Sequence, residues 1–536
     1  MLFMKQTAFP IFYSRIYLLL CLLVSTSVDA ETATLLKQWL GSNPQQLAEL
    51  NEPAVQNFYQ QRQYRLLWSQ DEQRLDRAYD LLHAILDAGE EGLTPSDYLP
   101  GPIRQFWNAA EPEDIVRLEL LLTAAFVRYS KDLYSGRYDP AELDADWHIS
   151  NAPPDMGQLL HRAAEQDSIT RLLASLPPPH RGYRLLKKEL LHLQSIRQQG
   201  GWPKIEAGPV LETGMQQSRV RLLRTRLAES GDLEECNVCN IDIFDHELEK
   251  AVKRYQTRHG LKADGRVGWQ TRRALNTPVE DRIRQLRINM ERWRWMPRQL
   301  HKRYLLVNMT GFELYIMEDD SVVLSMPVII GKAYRATPSF SGWVSTMEYN
   351  PYWIVPNTIA IEDFLPRLAS DPDFLARKSI RLFRGWGENA REVDPRSVDW
   401  KNIDKEHFPY WMRQDPGPKN ALGQMKFLFS NPYEIYLHGT PDKKLFERNI
   451  RAFSSGCIRV KDPVRLAAYL LNDGSQQKEE EILASIYLGG NQKITLPVAI
   501  PIYLVYRTAW AGENGQINYR PDIYGRDRLL QQRFTN

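Results

Sequence analysis

The chain has 536 residues, which is too long for a single hydrophobic core and indicates about three domains. Because 68 basic side chains balance 66 acidic ones, the net charge is only +2, which excludes a global field that would draw the chain onto nucleic acid. Hydrophobic residues make up 43% and aromatic residues 11%, and this composition excludes a largely disordered chain.

The first 30 residues have the three-part layout of a secretory leader. Lys5 and Arg15 accompany a nearly charge-free apolar run at residues 16–24, and small residues follow up to Ala30. The segment is therefore either a signal peptide removed after Ala30 or an uncleaved membrane anchor. No later stretch reaches the ~20 apolar residues of a membrane span, so the rest is expected outside the cytoplasm.

Cysteine is scarce, and one cysteine outside the leader has no second cysteine close to it in the sequence. Beyond Cys21 in the leader, the chain holds Cys236, Cys239 and Cys457. In an oxidising compartment Cys236 and Cys239 can close a local disulfide, which would leave Cys457 as a free thiol. A zinc site is the competing interpretation of the CNVC pair, although no second CxxC and no standard histidine spacing accompany it.

Residues 31–205 are predicted to form an all-helical scaffold domain. Apolar residues recur three and four positions apart in segments such as VRLELLLTAAFVRYSKDLYSG. The aromatic residues Tyr64, Trp68 and Tyr98 are interpreted as core rather than as a ligand platform. A stretch rich in Gly and Pro then marks a connection to the next domain.

Residues 215–280 are predicted to form a small domain of short helices, with Asp245 as the N-cap of the second. Gly265 and Gly268 permit a tight turn, after which Thr271 is expected to cap or lead the last helix. The phrase AVKRYQTRHGLKADGRVGWQTRRALN at residues 251–276 closely resembles the small three-helix peptidoglycan-binding domain of many cell-wall enzymes. Binding to peptidoglycan is implied by this resemblance alone.

From Tyr304 the pattern changes to alternating strands, and residues 300–510 are predicted to form a β-rich domain. Turns are expected at Thr310-Gly311 and at Asp319-Asp320. Residues 357–415 are charged and partly helical, so they are interpreted as an insertion that acts as a lid beside the site. Residues 511–536 are left as a C-terminal tail.

The segment EIYLHGTPDKKLFERNIRAFSSGCIRV carries the chemistry, because it places His438 at a strand end and Cys457 in a turn. A thiol is a strong nucleophile only as thiolate, and a neighbouring imidazole can take its proton. Gly456 allows a tight turn whose N–H groups hold an oxyanion, and Arg459 adds positive charge. Tyr436 shares the face of His438 on a strand, as a site residue or as a buried structural tyrosine.

The full phrase, HG followed by SSGCIRV, closely resembles the signature of the L,D-transpeptidase catalytic domain. Residues 418–423 with Lys426 and Phe427 extend the similarity to that family's PxNxLGxxKF stretch. Taken together, the segments resemble the large periplasmic members of Gram-negative bacteria. Ser455 departs from the family, since many relatives have His there, so a second histidine is not essential to this site.

The resemblance implies that Cys457 is the nucleophile and His438 its base. It also implies an oxyanion and substrate-binding group made of Gly456, Ser455, Gly439, Arg459, Tyr436 and Asn420. No metal and no organic cofactor are required. The implied fold is α+β and multidomain: a helical scaffold, a three-helix binding domain and a β-sandwich catalytic domain with a partly helical lid.

The implied reaction cross-links two diaminopimelate residues of peptidoglycan through a cysteine thioester, with release of D-alanine. The partners are tetrapeptide stems as donor and acceptor, other cell-wall synthesis proteins, and the inner membrane if the leader is a tether. Water or a lipoprotein lysine as acceptor would give an L,D-carboxypeptidase or an anchoring enzyme, and a silent peptidoglycan-binding scaffold is the rival without chemistry. Carbapenems are expected to acylate Cys457. A papain-like enzyme is disfavoured, because its Cys would precede its His.

Overall fold

The computed structural model describes residues 30–42, 47–70, 73–234, 240–471 and 474–534. The predicted leader, whether signal peptide or anchor, lies outside these residues except for Ala30. The CNVC pair, whether disulfide or zinc site, also lies outside them. The chain divides into two compact units. One contains residues up to Asp139 together with Ser150–His192 and Met290–Arg298, and the other contains Pro140–Ile149, Leu193–Asn289 and Gln299–Asn536. Over the described ranges, no helix is long and apolar enough to cross a membrane.

The first unit is built around one long helix, Pro112–Ser135. Its Glu119 is fully buried and accepts hydrogen bonds from the Tyr59 hydroxyl at 2.6 Å and the Trp68 backbone N–H at 3.0 Å. Trp68 and Tyr98 are fully buried, which confirms their interpretation as core. A short hairpin is formed by β1 (Ser69–Gln70) and β2 (Gln73–Arg74). The surrounding helices are residues 30–41, Pro53–Gln61, Asp76–Leu86, Pro100–Gln105, Met156–Glu165 and Thr170–Ala174.

In the second unit, three helices at Ser218–Glu229, His246–Arg258 and Trp269–Leu275 enclose a small apolar core. Asp245 caps the second helix by accepting from the Leu248 N–H at 2.9 Å, as predicted. Thr271 does not cap the third helix, because Gly268 precedes its first residue. The buried Thr271 hydroxyl instead accepts from the Gln256 side chain at 3.1 Å. Helices Arg181–Gln198 and Val279–Arg294 precede and follow this region.

The β-rich region forms a ten-stranded sheet. Both predicted turns are confirmed, since Thr310-Gly311 and Asp319-Asp320 connect three successive antiparallel strands that start at Arg303, Glu313 and Ser321. Asp319 and Asp320 adopt positive φ, as a tight hairpin turn requires. The strands are β3 (Trp147–His148), β4 (Arg303–Asn308), β5 (Glu313–Glu318), β6 (Ser321–Gly331), β7 (Ser339–Tyr349), β12 (Met425–Phe429), β13 (Leu437–His438), β14 (Ala452–Ser454), β15 (Ile458–Val460) and β16 (Gln492–Val505).

The predicted β-sandwich is wrong, because these strands make one sheet that closes on itself rather than two packed sheets. Strand β12 pairs with β13 on one side and with β7 on the other, which joins the two ends of the order β12-β13-β15-β6-β5-β4-β16-β7. Register shifts at Leu428/Phe429 and between Thr495 and Ile500 lie in the pairings of β7. Such bulges bend a strand, which allows the sheet to curl around its core.

Residues between β7 and β12 form a lobe with its own apolar core and its own four-stranded sheet. The strands are β8 (Trp353–Ile354), β9 (Ile380–Arg384), β10 (Arg391–Val393) and β11 (Tyr410–Gln414), in the order β10-β9-β11-β8. After β16 the chain continues as the hairpin β17 (Ala509–Ala511) and β18 (Ile517–Tyr519) and the helix Arg526–Phe534. The segment left as a tail is therefore structured over its described part.

Candidate active site

Neighbouring parallel strands bring the two predicted catalytic residues together. His438 ends β13 and is aligned with Arg459 of β15, while Cys457 directly precedes β15. The Ile458 N–H donates to the Tyr436 carbonyl at 3.1 Å and fixes the register at the turn. Two residues nineteen positions apart in the sequence thus lie at adjacent strands.

His438 is buried, and one hydrogen bond defines its tautomer. Nδ1 lies 2.6 Å from the Gly439 carbonyl oxygen, which can only accept, so Nδ1 carries the proton and Nε2 keeps its lone pair. Burial, and next the positive charge of Arg459, lower the pKa of His438 to about 3. The imidazole is therefore neutral and can accept a proton.

Cys457 is partly exposed. Its thiol donates to the Glu434 carbonyl at 3.6 Å rather than to His438. Burial raises the pKa of Cys457, while the Tyr436 backbone N–H and the charge of Lys426 act in the opposite direction. Cys457 is therefore a neutral thiol and His438 a neutral imidazole.

Tyr436 and Lys426 form one wall beside this pair. The Tyr436 ring lies 5.6 Å from the His438 ring between centroids, and Lys426 Nζ lies 4.1 Å from the Tyr436 centroid. Burial, and next the charge of Cys457, raise the pKa of Tyr436, so its hydroxyl keeps its proton. Burial lowers the pKa of Lys426. Lys426 matched the family motif in the sequence, but its closeness to the thiol was not predicted.

The turn before Cys457 is held by short hydrogen bonds. Ser454 Oγ donates to the Cys457 carbonyl at 2.5 Å and accepts the Gly456 N–H at 3.2 Å, while Thr337 Oγ1 donates to the Gly456 carbonyl at 2.7 Å. Gly456 has a φ of +120°, a conformation that a residue with a Cβ rarely adopts. The predicted need for glycine before Cys457 therefore has a conformational cause.

Ser455 links the turn to the lobe between β7 and β12 through an arginine that the sequence reasoning missed. Arg335 Nη1 donates to Ser455 Oγ at 2.9 Å and to Asp363 Oδ2 at 2.7 Å, and the guanidinium also pairs with Glu362. Arg335 lies 120 positions before Ser455 and both acids come from the lobe. No local motif marks such an arginine, because the sheet alone brings it to the turn.

Three further predicted residues have largely structural contacts. Asn420 is buried and its amide donates to the Pro351 carbonyl at 3.0 Å and accepts from the Leu422 N–H at 2.8 Å, so it holds the loop before β12. The Gly439 N–H donates to the Met425 carbonyl at 2.9 Å. Arg459 lies 3.7 Å from Asp442 and next to His438 in the sheet.

The C-terminal segment contacts Gly331 and Thr337, which was not expected of a tail. The Tyr524 hydroxyl donates to the Gly331 carbonyl at 2.6 Å, and Arg526 donates to the Thr337 carbonyl at 3.1 Å. Thr337 in turn supports Gly456. No cluster of His, Cys, Asp and Glu within the described ranges is arranged to hold a metal ion.

Family models match three separate stretches of the chain. Residues 53–190 match a scaffold domain, residues 216–275 match the "Putative peptidoglycan binding domain", and residues 302–486 match the L,D-transpeptidase catalytic domain. The chain contains an L,D-transpeptidase catalytic domain. The recognition made from the two motifs is thus confirmed, and His438 and Cys457 both lie within the matched transpeptidase domain.

A relative from Haemophilus influenzae, named "Putative L,D-transpeptidase", is 37% identical over 261 residues, which are 48% of this chain and 51% of the relative. The match thus spans about half the length of that relative. Among solved structures, an L,D-transpeptidase from Xylanimonas cellulosilytica is 14% identical, with a TM-score of 0.19, covering 56% of this chain and 99% of the other. An L,D-transpeptidase from Mycobacterium smegmatis is 11% identical, with a TM-score of 0.18, and the match covers 38% of this chain and 58% of the other.

Proposed function

We propose that the protein is an L,D-transpeptidase that forms diaminopimelate-to-diaminopimelate cross-links in peptidoglycan, with Cys457 as nucleophile and His438 as general base. The observation that carries the proposal is the placement of a partly exposed cysteine and a buried, neutral imidazole, protonated on Nδ1, at adjacent strands of the matched domain. The supporting domain match covers the catalytic region, and the specific cross-link is our inference.

In the first half-reaction, the Cys457 proton moves to His438 Nε2 as the sulfur attacks the carbonyl carbon of diaminopimelate in a donor tetrapeptide. A C–S bond forms and the carbonyl becomes an oxyanion. When the oxyanion collapses, the bond to D-alanine breaks and His438 returns its proton to the leaving nitrogen. The product is a thioester and free D-alanine, and no redox change occurs.

The oxyanion needs fixed donors that point to the position where its charge develops. The Gly456 N–H already donates to Ser454 Oγ at 3.2 Å, so we assign this task to the Cys457 N–H. The Lys426 ammonium lowers the pKa of Cys457, and its charge favours the thiolate during attack. Arg459 and Tyr436 complete the wall that a stem peptide would face.

In the second half-reaction, the side-chain amine of a second stem attacks the thioester, and His438 accepts its proton. The C–S bond breaks and Cys457 regains a proton, so the enzyme is restored without a metal or organic cofactor. Water in place of the amine would make the protein an L,D-carboxypeptidase, and a lipoprotein lysine would make it an anchoring enzyme. Because the same thiol opens strained carbonyl compounds, acylation of Cys457 by carbapenems follows.

The proposed substrate implies a site of action outside the cytoplasm. Donor and acceptor stems belong to peptidoglycan, so we place the protein in the periplasm, exported or tethered by its first 30 residues and in reach of other cell-wall synthesis proteins. The matched peptidoglycan-binding domain supports this placement.

The test is incubation of the soluble chain, and of its Cys457→Ala variant, with a disaccharide-tetrapeptide, followed by mass analysis. A cross-linked dimer and free D-alanine that appear only with Cys457 support the proposal. A disaccharide-tripeptide alone would replace it with carboxypeptidase activity. Unchanged substrate would favour the silent scaffold.

A further inference from the structure

A cleft of about 710 Å³ lies in the second unit, away from the Cys457 turn. One wall is the end of the matched peptidoglycan-binding domain, including Trp269 and Arg273. The other comes from outside that domain: the helix Val279–Arg294, the segment after β18, and Ile450. Its volume lies within the range of about 300–1,000 Å³ typical of ligand pockets.

The two walls are fixed to each other by hydrogen bonds. Arg258 at the end of the domain's second helix donates to the Ile517 carbonyl at 3.1 Å, and Arg520 donates back to the Arg258 carbonyl at 2.8 Å. Within the second wall, Gln285 donates to the carbonyls of both Thr508 and Arg520 at 2.9 Å. The cleft is therefore a built feature, and it would be incomplete in the peptidoglycan-binding domain alone.

Its lining combines exposed apolar surface with an available cation. Trp269 and Ile450 are 64% and 56% exposed, although large apolar side chains are usually buried. The three lining acids are already engaged: Asp281 pairs with Arg284, Asp522 accepts from the Tyr506 hydroxyl at 2.6 Å, and Asp527 accepts from the Thr508 hydroxyl at 2.5 Å. In the described part of the chain no carboxylate pairs with the exposed Arg273.

We propose that this composite cleft binds a peptidoglycan strand, with the apolar face of an amino-sugar ring on Trp269 and a stem carboxylate at Arg273. An aromatic face and a planar guanidinium suit these two groups. Ile450 belongs to the loop between His438 and Cys457, so a strand in the cleft also contacts the segment that joins the two catalytic residues. The inference rests on the proposed function for its choice of polymer.

The experiment measures retention of the full chain on purified peptidoglycan sacculi as a function of protein concentration. All variants carry Cys457→Ala, so turnover cannot alter the result. We expect Trp269→Ala and Ile450→Ala each to weaken binding at least about tenfold, as truncation of a central apolar anchor does. Trp343→Ala and Val498→Ala, which remove side chains 50% and 63% exposed elsewhere, should bind like the parent.

Unchanged binding in both cleft variants would overturn the inference. A loss with Trp269→Ala but none with Ile450→Ala would also overturn it, because the site would then lie within the binding domain alone. Equal losses in the two control variants would mean non-specific adhesion and would overturn it as well. Turnover of soluble disaccharide-tetrapeptide is measured separately with Cys457 present, so an inactive protein that still binds through the cleft would contradict only the proposed transpeptidation.

Discussion

Two buried histidines of the second unit have nearly the same local chemistry. His438 donates from Nδ1 to the Gly439 carbonyl at 2.6 Å, and His259 bonds through Nδ1 to the Tyr255 carbonyl at 2.8 Å. Burial is the first cause of a lowered pKa in both, followed by an arginine charge. They differ in what faces the ring.

His259 is stacked on Tyr255 and Tyr519, with centroids 3.7 and 5.3 Å away, whereas His438 lies beside the strand that begins after Cys457. A fixed tautomer and a low pKa are therefore properties of burial, which both histidines share. Under the proposed function, His438 differs from a packing histidine because the strand beside it begins directly after Cys457. Substitutions at the two sites, and a change of pH, test this difference.

The largest effect is expected from the nucleophile. Cys457→Ala should reduce turnover to below roughly one part in 10⁴, because no other group can form the thioester. Steady-state release of D-alanine from disaccharide-tetrapeptide measures this. Thermal unfolding serves as the control, and a folded Cys457→Ala protein with substantial turnover would contradict the assignment.

The two histidines should respond differently to the same substitution. His438→Gln is expected to lower kcat by about 10²–10⁴-fold, the usual contribution of a general base. His259→Gln should leave turnover of the soluble substrate nearly unchanged but lower the free energy of unfolding by about 1–3 kcal/mol through lost stacking. Comparable losses of kcat in both variants would mean that the effect on turnover does not depend on the position of the histidine beside Cys457.

Arg335 should have an intermediate effect, because it acts on the turn rather than on the substrate. Arg335→Gln removes the bond to Ser455 and is expected to lower kcat roughly tenfold through misplacement of Cys457. Arg381→Gln is the matched control, since Arg381 also pairs with two acids, Glu392 and Asp415, but has no contact with the turn. Equal effects of the two substitutions would argue against a role in positioning.

The smallest effect is expected from pH. Because the pKa of His438 is about 3 instead of its ordinary 6.5, the base stays deprotonated in mild acid and kcat should be flat between about pH 7.5 and 5. The unfolded chain binds a proton at this histidine between these two pKa values, so its contribution to stability falls as pH falls through that window. A pH–rate profile with an inflection near 6.5 would contradict the lowered pKa of His438.

Local features of the fold were predictable from the sequence, while the pairing of strands that lie far apart in the sequence was not. The Asp245 cap and the Asp319-Asp320 turn each depend on a few neighbouring residues. The closure of the sheet depends on β12 meeting β7 across the lobe, which alternation of apolar residues cannot reveal, and the sandwich was predicted in its place.

The same distinction holds for the candidate site. The motif located His438, Cys457 and Gly456 because they lie within one segment of the chain. Arg335 contacts Ser455 and Tyr524 contacts Gly331, each from a distant segment, and neither carries a signature of its own. Lys426 was visible as part of a motif, but only the pairing of β12 with β13 brings it beside His438.

The central claim, acyl transfer through Cys457, is tested most directly by rapid quenching of the protein with disaccharide-tetrapeptide and intact-mass analysis. We predict a covalent adduct with the mass of the substrate less D-alanine, located on the peptide that contains Cys457, and its disappearance when an acceptor amine is added. Turnover without any adduct, or an adduct on another residue, would contradict the account.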